Sequence, residues 1–271
     1  MKILVMTDME GSCGIINHDD WVLPSGKNYD EGRELVTMET NAAIEGFFVG
    51  GAKEVGVVDG HGVGGLNAGM LDERVKVWRA TEAGGWPFGL DASYDGVGWV
   101  GQHAKSGTPY SHITHTQGFE YLDVSVNGVS IGEYGQLALC AMELGVPSIL
   151  ACGEEAFTTE AEALTPGVIT AVGKRGLLAD GLDDLDAELY AVAKLEAEHL
   201  KPEEARALIR SAAEEAVRKL GQEGQAGFAY PEMKAPYEMV VKFRARGGRP
   251  AETVRVCRQD SIVELMRVPL Q

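Results

Sequence analysis

Residues 1–11 read MKILVMTDMEG: an unbroken strand-forming run at 3–7 leads straight into Asp8, Glu10 and Gly11. Apolar residues without alternation mark a strand buried on both faces, as in a parallel sheet covered by helices. Working outward, residues 30–49 (DEGRELVTMETNAAIEGFFV) carry acids in the first turn and stop at Gly50-Gly51, which reads as a helix. Residues 54–59 (EVGVVD) give a second strand, 75–79 a third and 97–101 (VGWVG) a fourth. A fifth strand at 122–126 meets the hairpin signal Asn127-Gly128 and a short strand at 129–131. A helix at 133–144, closed by Gly145, and a strand at 147–152 follow. This alternation predicts an α/β fold, a three-layer sandwich with a largely parallel sheet, over a domain spanning residues 1–174.

Beyond residue 175 the texture changes. Residues 182–199 and 202–220 are acidic and alanine-rich, and both read as helices. The second repeats Ala205, Leu208, Ile209, Ala212, Ala213, Ala216, Val217 and Leu220 at helical spacing, with Pro202 at its start and Gly221 beyond it. Strands return at 238–245 and 253–256. The expectation is a smaller C-terminal α+β lobe at 175–271 packed on the first domain, with 221–228 as a flexible link.

A chain of 271 residues with 24 basic against 41 acidic side chains carries a net charge of −17, a field that repels phosphates and anionic lipid. Nucleic acid and membrane surfaces are therefore excluded as partners, while cations are favoured at inward-facing carboxylates. Cys13, Cys140, Cys152 and Cys257 form no C-x-x-C pair, so the thiols read as free in a reducing compartment. The N-terminal segment lacks the apolar length and cleavage site of a signal peptide, and no run approaches a membrane span. A cytoplasmic location follows as an expectation.

In an open α/β sheet, ligands bind at the C-terminal strand ends. The first strand ends in Asp8-Met9-Glu10-Gly11, the second in Asp59-Gly60-His61-Gly62 and the fourth in Gly101-Gln102-His103-Ala104. Glu133 opens the helix after the hairpin. Singly, each has a bland reading: a solvated strand end, a loop or core histidine, or a first-turn acid facing a helix dipole. Together, Asp8, Glu10, His61, His103 and Glu133 converge on one sheet edge, and two carboxylates as close as Asp8 and Glu10 call for a cation between them. Five N/O donors exceed one tetrahedral zinc. They suit two metals roughly 3.5–4 Å apart, a pairing used for metal-assisted hydrolysis. Without a thiolate in the set, zinc, manganese and cobalt all fit. His115, in the aperiodic segment Ser111-His112-Ile113-Thr114-His115-Thr116, is a candidate acid, base or nucleophile, and His112 competes with it for that role. One further motif competes with the metal reading. Gly60-His61-Gly62-Val63-Gly64-Gly65 matches the dinucleotide fingerprint G-x-G-x-x-G, but the next strand follows too soon for the helix that fingerprint needs.

Thr7-Asp8-Met9-Glu10-Gly11, Asp59-Gly60-His61-Gly62, Gly101-Gln102-His103-Ala104, His115-Thr116 and Asn127-Gly128 with Gly132-Glu133, in this order, resemble the M55 family of zinc-dependent D-aminopeptidases. The resemblance implies a dinuclear zinc site with Asp8 bridging and Glu10, His61, His103 and Glu133 completing the ligand set. It implies that His115 is the catalytic histidine. It also implies a cytoplasmic peptidase that removes N-terminal D-amino acids such as D-Ala from short peptides, assembled as a ring-shaped homo-oligomer, a decamer of stacked pentamers. The residues themselves leave open a related metallohydrolase acting on another small amide or amine-bearing substrate.

Overall fold

The computed structural model describes residues 1–79 and 85–269; the last two residues of the expected C-terminal lobe lie outside that range. Among the described residues, seven strands form the central sheet. They are β1 (Lys2–Thr7), β2 (Glu54–Asp59), β3 (Lys76–Arg79), β4 (Gly96–Gln102), β7 (Ser148–Glu154), β8 (Ile169–Gly176) and β9 (Ala197–His199), in the order β3-β2-β1-β4-β7-β8-β9. All pairings are parallel except β8 with β9. From β1 the chain winds outward one way through β2 and β3 and the other way through β4, β7 and β8. The C-terminal ends of β1 and β4 thus flank the switch point where such sheets bind ligands.

Alternation within β1 assigns the layers. Ile3 and Val5 pack with α2 (Tyr29–Gly50) and α6 (Pro202–Glu223), whose buried Phe47, Ile209 and Val217 belong to the same cluster. Leu4 and Met6 face the opposite layer, where Leu137 of α3 (Glu133–Leu144) and Phe157 of α4 (Glu155–Leu164) close the core. That layer also holds a second, antiparallel sheet of β5 (Tyr121–Val126), β6 (Val129–Ile131), β10 (Tyr237–Phe243) and β11 (Glu252–Arg258), in the order β11-β10-β5-β6. Short helices α1 (His18–Trp21), α5 (Ala187–Ala191) and α7 (Ile262–Met266) fill the periphery. The architecture is the expected α/β sandwich with a mostly parallel sheet, and the smaller lobe is the antiparallel sheet, which takes two of its strands from residues 121–131 and two from residues 237–258. The hairpin forms at Asn127 and Gly128, with φ of 48° and 82°, the left-handed pair that a tight two-residue connection requires.

Two expectations fail. Residues 182–199 are not one helix: α5 is a single turn and β9 joins the sheet edge. The open backbone of β8 captures residues 197–199, with Lys174 opposite His199. Tyr190 and Lys194 are pulled inward, the ring under the Arg244 guanidinium at 3.8 Å and the ammonium onto Ser111 Oγ at 3.2 Å. Such tertiary contacts outweigh a helix propensity of a few tenths of a kcal/mol per residue. Residues 221–228 are also no loose link. α6 runs through Glu223, a short 3-10 turn follows, and Phe228 is buried with the Lys219 ammonium 4.8 Å from its ring centre.

Candidate metal centre

Each strand end delivers its residue to the same place. Asp8 and Glu10 follow β1, His61 lies two residues past β2, His103 one past β4, and Glu133 is the first residue of α3. All but Glu133 are buried, and Glu133 is partly so. Asp8 sits at the middle. Its Oδ1 lies 3.2 Å from His61 Nδ1 and its Oδ2 3.3 Å from His103 Nε2. Glu10 Oε2 is 3.3 Å from His61 Nδ1, and Glu133 Oε1 is 3.7 Å from His103 Nε2. Two sets of donor atoms lie mutually within 4.8 Å: Asp8, Glu10 and His103, and His103, His115 and Glu133. His61 falls outside both sets but borders the first through Asp8 and Glu10.

The loop between β4 and β5 separates the two competing histidines. His115 stacks on His103 with ring centres 4.1 Å apart and places Nε2 3.9 Å from Glu133 Oε1. His112 turns away: its Nε2 meets the Ile16 carbonyl at 3.0 Å and its ring sits edge-on to His199. The geometry therefore brings His115, not His112, to the cluster. In His103 and His115 the second nitrogen is fixed by backbone, as His61 Nε2 is by the Val22 carbonyl at 2.9 Å. His103 Nδ1 lies 2.8 Å from the Ala104 carbonyl and His115 Nδ1 3.0 Å from the Ile113 carbonyl. A carbonyl only accepts, so each Nδ1 donates to it and each Nε2 is the nitrogen turned to the centre, the orientation a metal-ligating imidazole needs.

Burial raises the carboxyl of Glu10, but the facing His61, with His115 and His103, more than offsets it and leaves it well below the usual range. Burial raises Glu133 to about 7 against the opposing pull of His103. His61 and His103 are disfavoured as cations by burial, yet the carboxylates around them win. His61 rises well above its usual value and His103 to about 10. His115 goes the other way, to about 4, through burial and the neighbouring His103. This balance belongs to a site crowded with negative charge that seeks positive partners.

A metal fits this donor set. Among the described residues Glu10 Oε2 and His103 Nε2 are buried without a partner of hydrogen-bond geometry, although each has an oppositely charged neighbour at 3.3 Å, and both face the cluster. Such orphaned lone pairs are costly in a folded interior unless something satisfies them.

Several neighbours had no assigned role in the sequence. The Gln102 amide donates to Asp8 Oδ2 at 3.0 Å, and the Gln117 backbone N–H donates to Glu133 Oε1 at 2.7 Å. Gln102 ends a buried strand beside His103, so its position was readable although its partner was not. The cluster floors a cavity of about 260 Å³ whose apolar walls include Leu23, Val63, Trp86 and Phe88. No local pattern announces those walls, because they come from three separate loops. The glycine-rich loop is committed elsewhere. Gly65 and Leu66 donate their N–H groups to Asp59, and β3 is the next regular element, so the helix of a dinucleotide site does not follow.

The peptidase M55 family, D-aminopeptidase, matches the chain over residues 1–260. The chain belongs to the M55 D-aminopeptidase family. A D-aminopeptidase of Bacillus subtilis (strain 168) is 34% identical over 184 residues, 65% of this M55 chain and 64% of the relative's own length. The match thus spans just under two-thirds of that relative. The solved structure of the Zn-dependent D-aminopeptidase DppA from Bacillus subtilis, a self-compartmentalizing protease, superposes with a TM-score of 0.80. It covers 98% of this chain and 94% of that one at 23% identity, which establishes the shared M55 fold.

Proposed function

We propose that this M55 chain is a zinc-dependent aminopeptidase that hydrolyses short peptides with an N-terminal D-amino acid such as D-Ala. The observation that carries the reading is Asp8, whose two carboxylate oxygens face imidazoles on opposite sides. Asp8 would bridge two zinc ions, with Glu10, His61, His103 and Glu133 as the other ligands; manganese or cobalt fit the same donors. Bound there, the metals supply an acidified water and polarise the scissile carbonyl. His115 is the catalytic residue of this reading. With Nδ1–H held by the Ile113 carbonyl, its Nε2 would take the proton of the attacking water on the cavity side and hand the same proton to the leaving amine as the C–N bond breaks. The substrate's ammonium group pairs with a carboxylate of the cluster, which selects a free N-terminus over an internal peptide bond. Trp86, Phe88, Leu23 and Val63 exclude water from the bound residue, and a cavity of about 260 Å³ suits a short peptide.

The self-compartmentalizing relative supports a homo-oligomer, which we place as a ring-shaped decamer of stacked pentamers in the cytoplasm. Among the described residues no helix is long and apolar enough to cross a membrane.

The test is elemental analysis of protein purified without added metal, paired with release of D-Ala from D-Ala-D-Ala. About two zinc per chain with D-Ala release is the expected result. Metal without release, followed by turnover of another aminoacyl amide, would replace the substrate assignment. No metal after reconstitution would overturn the site.

A further inference from the structure

Glu154 closes β7, the strand beside β4, and is fully buried. Its two oxygens divide their work. Oε1 accepts the Ala104 backbone N–H at 2.8 Å, and Oε2 accepts the His112 backbone N–H at 2.6 Å. Both partners are one peptide link from a group that orients a cluster imidazole. Ala104 follows His103 and gives the carbonyl on which His103 Nδ1 rests. His112 precedes Ile113, whose carbonyl holds His115 Nδ1. Ile113 has φ of 56°, a conformation that a β-branched residue adopts only when its surroundings enforce it. The enforcement is visible. The His112 N–H is gripped by Glu154, the Ile113 N–H by the Lys194 carbonyl at 3.0 Å, and the Thr114 hydroxyl donates back to Ala104 and Lys105 carbonyls. One carboxylate thus ties the strand end carrying His103 to the loop carrying His115.

We propose that Glu154 is a positioning residue that sets His103 and His115 at once, by holding the Ala104 and His112 peptide units with one oxygen each. The inference rests on the reading of His103 as a ligand and His115 as catalytic, but the clamp itself is testable without metal or turnover. A glutamine at 154 keeps the shape and one acceptor, and turns an amide NH2 toward the other backbone N–H. One of the two ties is then lost.

The experiment compares wild type, Glu154→Gln and, from the exposed face of the following helix, Glu155→Gln. Hydrogen exchange is read first, on metal-free protein, at the Ala104 and His112 amides. Wild type and Glu155→Gln should protect both, and Glu154→Gln should exchange at least one about tenfold faster or more. Next, Co2+ affinity should fall roughly 10- to 100-fold in Glu154→Gln, and kcat on D-Ala-D-Ala by a similar factor with KM changed less than about twofold. A folded Glu154→Gln with wild-type exchange and kcat overturns the proposal. Fast exchange of both amides in wild type overturns it equally, so the question stays decidable if the variant does not fold. A wild type that neither binds metal nor releases D-Ala defeats the functional reading instead, and the exchange comparison still judges the clamp.

Discussion

Gly11→Ala is the sharpest single-methyl test of how the centre is built. The Gln102 carbonyl is wedged between two glycines, and a Cβ added at either Gly11 or Gly153 would stand 1.9 Å from that oxygen. Ordinary contact begins at 3.4 Å, so one side must retreat by about 1.5 Å. The carbonyl cannot move toward Gly153, because that glycine closes the other side. Either the Gln102–His103 strand end shifts, or the 8–11 turn shifts and carries Asp8 and Glu10 with it. Both movements break the 3.3 Å approach of His103 Nε2 to Asp8 Oδ2. A misplacement of about 1 Å costs on the order of 100-fold in rate, about 2.7 kcal/mol of transition-state stabilisation. Overpacking of this kind costs roughly 1–3 kcal/mol of stability, and each kcal/mol lowers Tm by about 2–4 °C in a chain of this size. The assay is kcat/KM on D-Ala-D-Ala with metal content and a thermal melt. Gly221→Ala serves as the comparison: it lies inside α6 with only the Met1 methyl at 3.6 Å, and should gain about 0.5–1 kcal/mol. Gly11→Ala with full metal content and kcat/KM within threefold of wild type would refute the wedge.

His115→Ala should abolish turnover while metal content stays near wild type, whereas His112→Ala should lower the melting temperature and leave folded protein active; the opposite pattern reverses the assignment. Glu39, buried beneath the 10–14 turn, accepts the Cys13 N–H at 2.9 Å and is raised by burial from 4.5 to about 7. With the folded pKa raised, its contribution to stability is full below about 4.5 and is lost as pH rises through about 7. Melts of wild type and Glu39→Gln at pH 5 and pH 8 should therefore show the variant gaining on wild type at the higher pH, and equal differences at both pH values would contradict this. Of the four cysteines, Cys257 alone is exposed, while burial raises the thiols of the other three. A thiol titration should count one reactive group in native protein and four in denaturant, and a second fast-reacting native thiol would contradict the buried placements.

Legibility in the sequence followed the range of the forces involved. β1, β2, β4 and β7 were readable because burial on both faces writes an unbroken apolar run, and α6 because one buried stripe writes a period near 3.6. The convergence of Asp8, Glu10, His61 and His103 was readable because a parallel sheet puts all its strand ends at one edge; Glu133 reaches the same place from the start of α3, after a strand of the antiparallel sheet. Residues 182–199 misled because their local propensity is helical while their fate is set by the exposed edge of β8, more than twenty residues earlier in places. Gln117, Trp86 and Glu154 left no mark because each acts through backbone groups or walls contributed by distant segments.

The pair His112 and His115 marks the boundary between what pattern carries and what it does not. In a helix, residues three apart share a face; in a strand, they oppose each other. Neither rule applies to 111–116, where the left-handed φ of Ile113 reverses the chain between the two imidazoles. Across that turn the buried His112 points away from the cluster to the Ile16 carbonyl and His115 points into it toward Glu133. An unfavourable torsion of this kind costs of order 1–3 kcal/mol and persists only where neighbours over-determine it. Here the neighbours are Glu154, which holds the His112 N–H, and Lys194, whose carbonyl holds the Ile113 N–H, both distant in sequence from the histidines. Which of the two histidines reaches the cluster is therefore decided with contacts from residues 154 and 194, which lie outside residues 111–116.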